Sequence, residues 1–196
     1  MIRELPPTVV RKIAAGEVIT APVDVVKELV ENSLDAGAKR IAVDVEEGGL
    51  KLIRVKDDGA GMSREDLEMC ALPHTTSKIR EEDDLYRITT LGFRGEALAS
   101  MCAVARVRIT SAKDGEAYTA EYDDRGKAIA VQGASLERGT IVEVRGLFSG
   151  LPARRKFLKG PEAEFRKIHQ LLIRYSFANE SVSFALRKDG REVFLS

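Results

Sequence analysis

The stretch Val25-Val26-Lys27-Glu28-Leu29-Val30-Glu31-Asn32-Ser33-Leu34-Asp35-Ala36-Gly37 constrains this chain more than any other. Pro22 stands where a first helical residue belongs and Gly37 where a helix ends, so the pattern predicts a helix between them. Val23, Val26, Val30 and Leu34 recur at helical spacing, with Leu29 widening the stripe, and mark a core face. Glu28, Asn32 and Asp35 follow at i, i+4 and i+7, which sets them along a second face. A row of oxygen-bearing side chains can hold a hard cation and a water, since such cations take oxygen ligands. Spacing alone favours a solvated helix face, and the residues downstream have to decide.

Downstream, Ile41, Val43 and Val45 alternate, Glu46-Glu47-Gly48-Gly49 turns, and residues 50–55 run extended, which predicts a hairpin. Its second strand delivers the chain to Asp57-Asp58-Gly59-Ala60-Gly61-Met62. A carboxylate at a strand end, followed by residues that let a ligand approach the backbone, can accept a hydrogen bond from an exocyclic amine such as adenine's. A plain Asp-Gly turn has the same composition. Ser63 and Asp66 predict a helix cap, with Leu67, Cys70 and Ala71 on an apolar face that Pro73 closes. Residues 74–90 show no period and read as a loop. Gly92-Phe93-Arg94-Gly95-Glu96-Ala97-Leu98 then passes from a glycine-bearing turn into a helix. Free amides and a positive helix end there suit phosphate, although no Gly-Lys-Ser/Thr follows and many such turns are simple helix entries.

Further strands are expected at 104–111, 117–122, 128–132 and 140–144 as an antiparallel meander, then a helix over 161–177 with Phe165, Ile168, Leu172 and Tyr175 inward. A final hairpin turns at Asp189-Gly190. Helices grouped with such a sheet predict an α+β fold in two layers, a mixed, mostly antiparallel sheet with helices on one face. The length of 196 residues suits one core, or at most a domain and part of another. No apolar run reaches membrane-spanning length and no signal-like start is present, so a cytoplasmic protein is expected. Cys70 and Cys102, both in apolar surroundings, read as reduced core residues. His74 and His169 are the only histidines and lack metal-ligand spacing. Lys plus Arg and Asp plus Glu each total 31, so nucleic-acid contact would have to be local. Arg154, Arg155, Lys156, Lys159, Arg166 and Lys167 offer such a patch, unless they pair with Glu162 and Glu164.

Taken together, Glu28-x-x-x-Asn32-Ser33-x-Asp35-Ala36-Gly37, Asp57-x-Gly59-x-Gly61, Thr76-Ser77-Lys78 and Gly92-Phe93-Arg94-Gly95-Glu96-Ala97-Leu98 resemble the ordered motifs of the GHKL ATPases, the group of gyrase, the heat-shock chaperone, histidine kinases and MutL. The GFRGEAL run, Leu5-Pro6-Pro7 with Ile13-Ala14-Ala15-Gly16-Glu17-Val18, and Pro152-Ala153-Arg154-Arg155-Lys156-Phe157-Leu158 narrow the resemblance to the MutL mismatch-repair family. It covers nearly the whole chain.

The resemblance implies a Mg-ATP-binding, slowly hydrolysing domain over residues 1–196, with an ATP lid at about 74–98. Glu28 matches the general base, and Asn32 the Mg²⁺ ligand. Asp57 matches the acceptor of the adenine amine, with Gly59, Gly61 and Met62 near the base and Thr140 sharing a water with it. Thr76, Ser77 and Lys78 match the lid hinge, and Gly92, Phe93, Arg94, Gly95, Glu96, Ala97 and Leu98 the phosphate cradle. Asp35 is assigned no contact. Asp58 stands where the family usually has Asn and adds a negative charge beside the adenine site. The resemblance further implies self-association on ATP binding, MutS, a downstream nuclease or helicase and DNA as partners, and a nucleoid-associated or nuclear setting according to host. The family's second domain, which supplies a lysine to the γ-phosphate, and its C-terminal dimerisation domain have no counterpart in these residues, so weak hydrolysis is expected. A non-catalytic nucleotide-binding or DNA-binding scaffold module is the alternative.

Overall fold

The computed structural model describes residues 3–75 and 95–196. The helices are α1 (Pro7–Val18), α2 (Pro22–Asp35), α3 (Arg64–Met69), α4 (Ala97–Val104), α5 (Pro152–Arg155) and α6 (Pro161–Ala178). The strands are β1 (Arg40–Glu46), β2 (Leu52–Asp57), β3 (Arg106–Lys113), β4 (Glu116–Tyr122), β5 (Ala128–Gly133), β6 (Gly139–Arg145), β7 (Ser183–Lys188) and β8 (Arg191–Leu195). They form one eight-stranded sheet in the order β5-β4-β3-β6-β2-β1-β7-β8. Every pairing is antiparallel except β1 with β7. This is the expected mixed, mostly antiparallel α+β arrangement.

The meander is shorter than the sequence suggested. β3, β4 and β5 follow one another, but β6 returns to the far side of β3 and pairs with β2. Burial explains the choice: β6 keeps Val142 and Val144 out of water, whereas β5 is exposed along most of its length and suits an edge.

The sheet is best understood in transverse rows of cross-strand partners. On the covered face, Val43, Val55, Val142, Ile109 and Ala120 make one row, and Val45, Ile53, Val144 and Val107 another. These rows join Val25, Val26, Leu29 and Val30 of α2 and Phe165, Ile168 and Leu172 of α6 in a single apolar cluster. Burying such side chains stabilises by roughly 1.5–3 kcal/mol each, which fixes the register, because a slip of one residue would turn the apolar set outward. The opposite face carries Asp44, Arg54, Glu143 and Arg108 and faces solvent.

α2 starts as its sequence dictates. Pro22 occupies the first turn, and Asp24 Oδ2 accepts from the main-chain amides of Thr20 at 2.8 Å and Ala21 at 3.0 Å, placing a negative charge on the positive helix end. Its core face is rotated from the expected stripe: Val25 and Ser33 are buried while Val23 and Leu34 are only half-buried. The helix contacts β1 and β2 below and α4 and α6 beside it, so burial reaches further round its circumference than a single-sided stripe. α3 shows the expected reciprocal cap, Ser63 with Asp66 at 3.1 Å in each direction.

Of the basic cluster, Arg154 donates to the carbonyls of Gly16 at 2.7 Å and Ile19 at 3.1 Å, stapling α5 to the end of α1. Lys167 pairs with the buried Glu164 at 3.0 Å, and Glu162 takes Lys188. His169 lies against Phe165 and Phe194, a packing position. Both cysteines are free, and burial pushes the Cys70 thiol up to about 11 and the Cys102 thiol up to about 12. Among the described residues no helix is long and apolar enough to cross a membrane.

Candidate functional site

One row of the covered face departs from the apolar pattern. Next to Ile41, the cross-strand partners are Asp57, Thr140 and Ser111, on β2, β6 and β3. Asp57 is 7% exposed and Ser111 fully buried, so these are polar groups that must find partners inside the fold.

They find them locally. Asp57 Oδ2 accepts from the Ser33 hydroxyl of α2 at 2.8 Å, and Oδ1 accepts from the Gly59 amide at 2.9 Å. Burial raises the Asp57 pKa above the ordinary 3.8, while the amides of Gly59 and Thr140 and the Ser33 hydroxyl oppose that rise. Neutral dipoles thus hold this carboxylate in place and leave lone pairs for a further donor.

The turn after β2 is pressed against its neighbours. The Ala60 amide donates to the Ala36 carbonyl at 2.9 Å, docking the turn on the end of α2. Gly61 has φ +71, and a side chain there would run into the Ala112 carbonyl; Gly139 has φ +86, and a side chain there would run into the Asp57 carbonyl. Both positions therefore require glycine. Met62 follows, its amide donating to Ser111 Oγ at 2.8 Å.

Asp58, expected to charge the base site, is engaged elsewhere. Its Oδ1 accepts from the amides of Lys39 at 2.7 Å and Arg40 at 2.8 Å, and its Oδ2 from Arg40 Nε at 3.0 Å. Burial alone would raise its pKa, but the Arg40 and Lys39 amides and the Arg40 guanidinium outweigh that and hold it at about 2. It fastens the start of β1.

On α2, Glu28 and Asn32 lie one turn apart and half-buried, with Asn32 adjacent to the Ser33 that grips Asp57. Lys27 Nζ lies 3.8 Å from Glu28 and 3.6 Å from Glu31, and the Tyr175 hydroxyl donates to Glu31 at 2.6 Å. The structure thus gathers Asp57, Gly59, Gly61, Met62 and Thr140 beside the helix that carries Glu28 and Asn32. Gly95 sits against the Thr75 main chain, Glu96 stands immediately before α4 and lies 3.1 Å from His74, and Ala97 and Leu98 form the first turn of α4. Thr76, Ser77, Lys78, Gly92, Phe93 and Arg94 lie outside the described residues, as does most of the expected lid. Among the described residues no group of three or more His, Cys, Asp or Glu could hold a metal by itself. The oxygen donors of Asn32 and Glu28 suit a hard cation that keeps most of its ligands from phosphate and water.

Sequence reading missed the roles of Ser33 and Ser111. Ser33 falls on the buried side of α2, four residues after Leu29, and Ser111 continues the inward alternation of Val107 and Ile109. A hydroxyl at an inward position is the signal that could have found them.

Comparison with known proteins gives the same family. The family model for histidine kinase-, DNA gyrase B- and HSP90-like ATPases matches residues 19–141. The DNA mismatch repair protein MutL of Pseudomonas paraeruginosa is 50% identical over 195 residues, covering 98% of this chain and 31% of that protein. MutL of Pseudomonas fluorescens is 50% identical over 194 residues, again 98% of this chain and 31% of the relative. The chain therefore spans about a third of the length of these relatives. Among solved structures, the N-terminal domain of a DNA repair protein superposes with a TM-score of 0.84 at 33% identity, covering 98% of this chain and 58% of that one. The Aquifex aeolicus MutL ATPase domain complexed with ADP gives 0.72 at 37% identity, covering 91% and 64%. The chain belongs to the family of histidine kinase-, DNA gyrase B- and HSP90-like ATPases, within which it is a domain of the MutL type.

Proposed function

We propose that this domain binds and slowly hydrolyses ATP as part of a DNA mismatch-repair protein. The observation that carries the reading is the Asp57 carboxylate, buried at a strand end, held by Ser33 and Gly59, and set beside Thr140. Asp57 accepts the adenine amine and Thr140 serves the neighbouring ring edge through the water it shares with Asp57, with Gly59, Gly61 and Met62 flanking the base. Glu28 takes a proton from the water that attacks the γ-phosphate, a contribution of about 10²–10⁴-fold. Asn32 would hold Mg²⁺ through its amide oxygen, and the ion would supply charge neutralisation at the phosphate oxygens. Thr76, Ser77, Lys78, Gly92, Phe93, Arg94, Gly95, Glu96, Ala97 and Leu98 serve the lid and the phosphate cradle.

In the longer protein, ATP shifts the population towards a self-associated form that engages MutS, a downstream nuclease or helicase, and DNA. Because Arg154 is committed to α1 and Lys167 to Glu164, any DNA contact from this patch falls to Arg155, Lys156, Lys159 and Arg166. The test is hydrolysis by Glu28→Ala. Turnover falls by about 10²–10⁴-fold while ADP still binds; unchanged turnover removes Glu28 from the chemistry.

A further inference from the structure

Ser111 is the one member of the polar row that no ligand needs to touch, yet three polar groups lie within hydrogen-bond distance of its hydroxyl. Its Oγ lies 2.8 Å from the Met62 amide, 2.8 Å from Thr140 Oγ1 and 3.1 Å from the Gly139 carbonyl. A hydroxyl has one proton and two lone pairs. The Met62 amide can only donate, so it takes one lone pair, and two arrangements remain. If Ser111 gives its proton to Gly139, Thr140 must donate to Ser111 and can offer a ligand only lone pairs. If Ser111 gives its proton to Thr140, the Thr140 proton is released towards the site.

The second arrangement gives up the 3.1 Å bond to the Gly139 carbonyl for the shorter contact and aligns all donors in one direction, from Met62 N–H to Ser111 O–H to Thr140 O–H, so that each bond polarises the next. It also matches what stands beside it. Asp57 already accepts from Ser33 and Gly59 and presents lone pairs, and a second pure acceptor next to it would leave the pair without a complement on any ring edge that carries one amine and one unprotonated nitrogen. We propose that Ser111 is a specificity-setting positioning residue, which fixes Thr140 as a hydrogen-bond donor so that the Asp57–Thr140 pair reads an adjacent amine and ring nitrogen. Met62 contributes through its backbone, so the glycine turn that it closes is coupled to base recognition and not only to chain reversal. The inference rests on the nucleotide reading above and deepens it.

The test compares ADP with 1-deaza-ADP, in which the ring nitrogen beside the amine-bearing carbon is replaced by CH, by calorimetric titration of the wild type, Ser111→Ala, Thr140→Val and the double variant. Ser111→Ala loses about tenfold in ADP affinity and little for the deaza analogue. In the Thr140→Val background the same change costs no further ADP affinity, because its route to the ligand is gone. Equal losses for both ligands, or additive losses in the double variant, make Ser111 a packing residue and overturn the inference alone. Failure of the wild type to bind ADP overturns the nucleotide reading and the inference with it.

Discussion

Two transverse rows of hydrogen-bonding side chains cross this sheet, one on each face, and they solve opposite problems. On the open face Arg187, Asp44, Arg54, Glu143, Arg108 and Glu121 are successive cross-strand partners with alternating charge. Arg187 and Arg54 each lie 3.6 Å from Asp44, Arg54 reaches Glu143 at 2.9 Å, and Arg108 pairs with Glu121. Each charge is answered by its neighbours, and solvent screens the remainder. On the covered face Asp57, Thr140 and Ser111 are held by hydroxyl and amide dipoles. The first row neutralises itself; the second keeps acceptor and donor capacity in reserve. A carboxylate already paired with arginine has little left to offer an amine, whereas one held by dipoles retains it.

Breaking the covered row has the larger effects. Asp57→Asn removes the charged acceptor and lowers ADP affinity by about 10–100-fold, measured by calorimetric titration. Ser33→Ala leaves the carboxylate in place but less well held, and costs about five- to tenfold in the same assay.

Acidification separates two neighbouring carboxylates. Asp57 must be ionised to accept the amine, and its raised pKa means that ADP affinity begins to fall at a pH above its ordinary 3.8. The sign for stability is the reverse: with its folded pKa above the unfolded one, ionising Asp57 disfavours the fold as pH rises through that window. Asp58 works in the usual sense, its stabilisation complete above 3.8 and lost as pH falls towards about 2. Affinity should therefore decline before the Asp58 fastening weakens, with Asp57→Asn as the control for titration of the phosphates. Affinity that stays flat until the fold melts would contradict the raised pKa.

The open row responds weakly. Arg54→Met leaves Glu143 with Arg145 and Asp44 with Arg187, and costs about 1 kcal/mol of stability by chemical denaturation, with ADP binding unchanged. Arg187→Ala, at the more exposed end, costs about 0.5 kcal/mol or less.

The difference between the rows also explains what was legible in the sequence. Alternation gave Ile41, Val43 and Val45 their face, and Pro22 and Gly37 bounded α2, because these features act over a few residues. The return of β6 beside β3 was not legible: strand partners are chosen by burial across the whole sheet, and 140–144 looks no more central than 128–132 until β5 is seen at the edge. The rotation of α2 that buries Val25 and Ser33 follows from α6 and α4 lying beside it, a packing fact with no local signature. Asp57, Gly59 and Gly61 stood out as a motif, but the partners that make Asp57 an acceptor lie on α2 and β6, 24 residues away for Ser33 and across the strand pair for Thr140. Asp58 shows the converse, a motif neighbour whose charge the sequence assigned to the site and the fold spends on β1.

The most direct test of the central claim is the affinity of the wild type for ADP against inosine diphosphate, which carries a carbonyl where adenine carries the amine. A buried carboxylate that reads the amine binds ADP tighter by about a hundredfold or more, because the carbonyl oxygen faces an acceptor with nothing to donate. Equal affinity for the two nucleotides would show that Asp57 does not read the base.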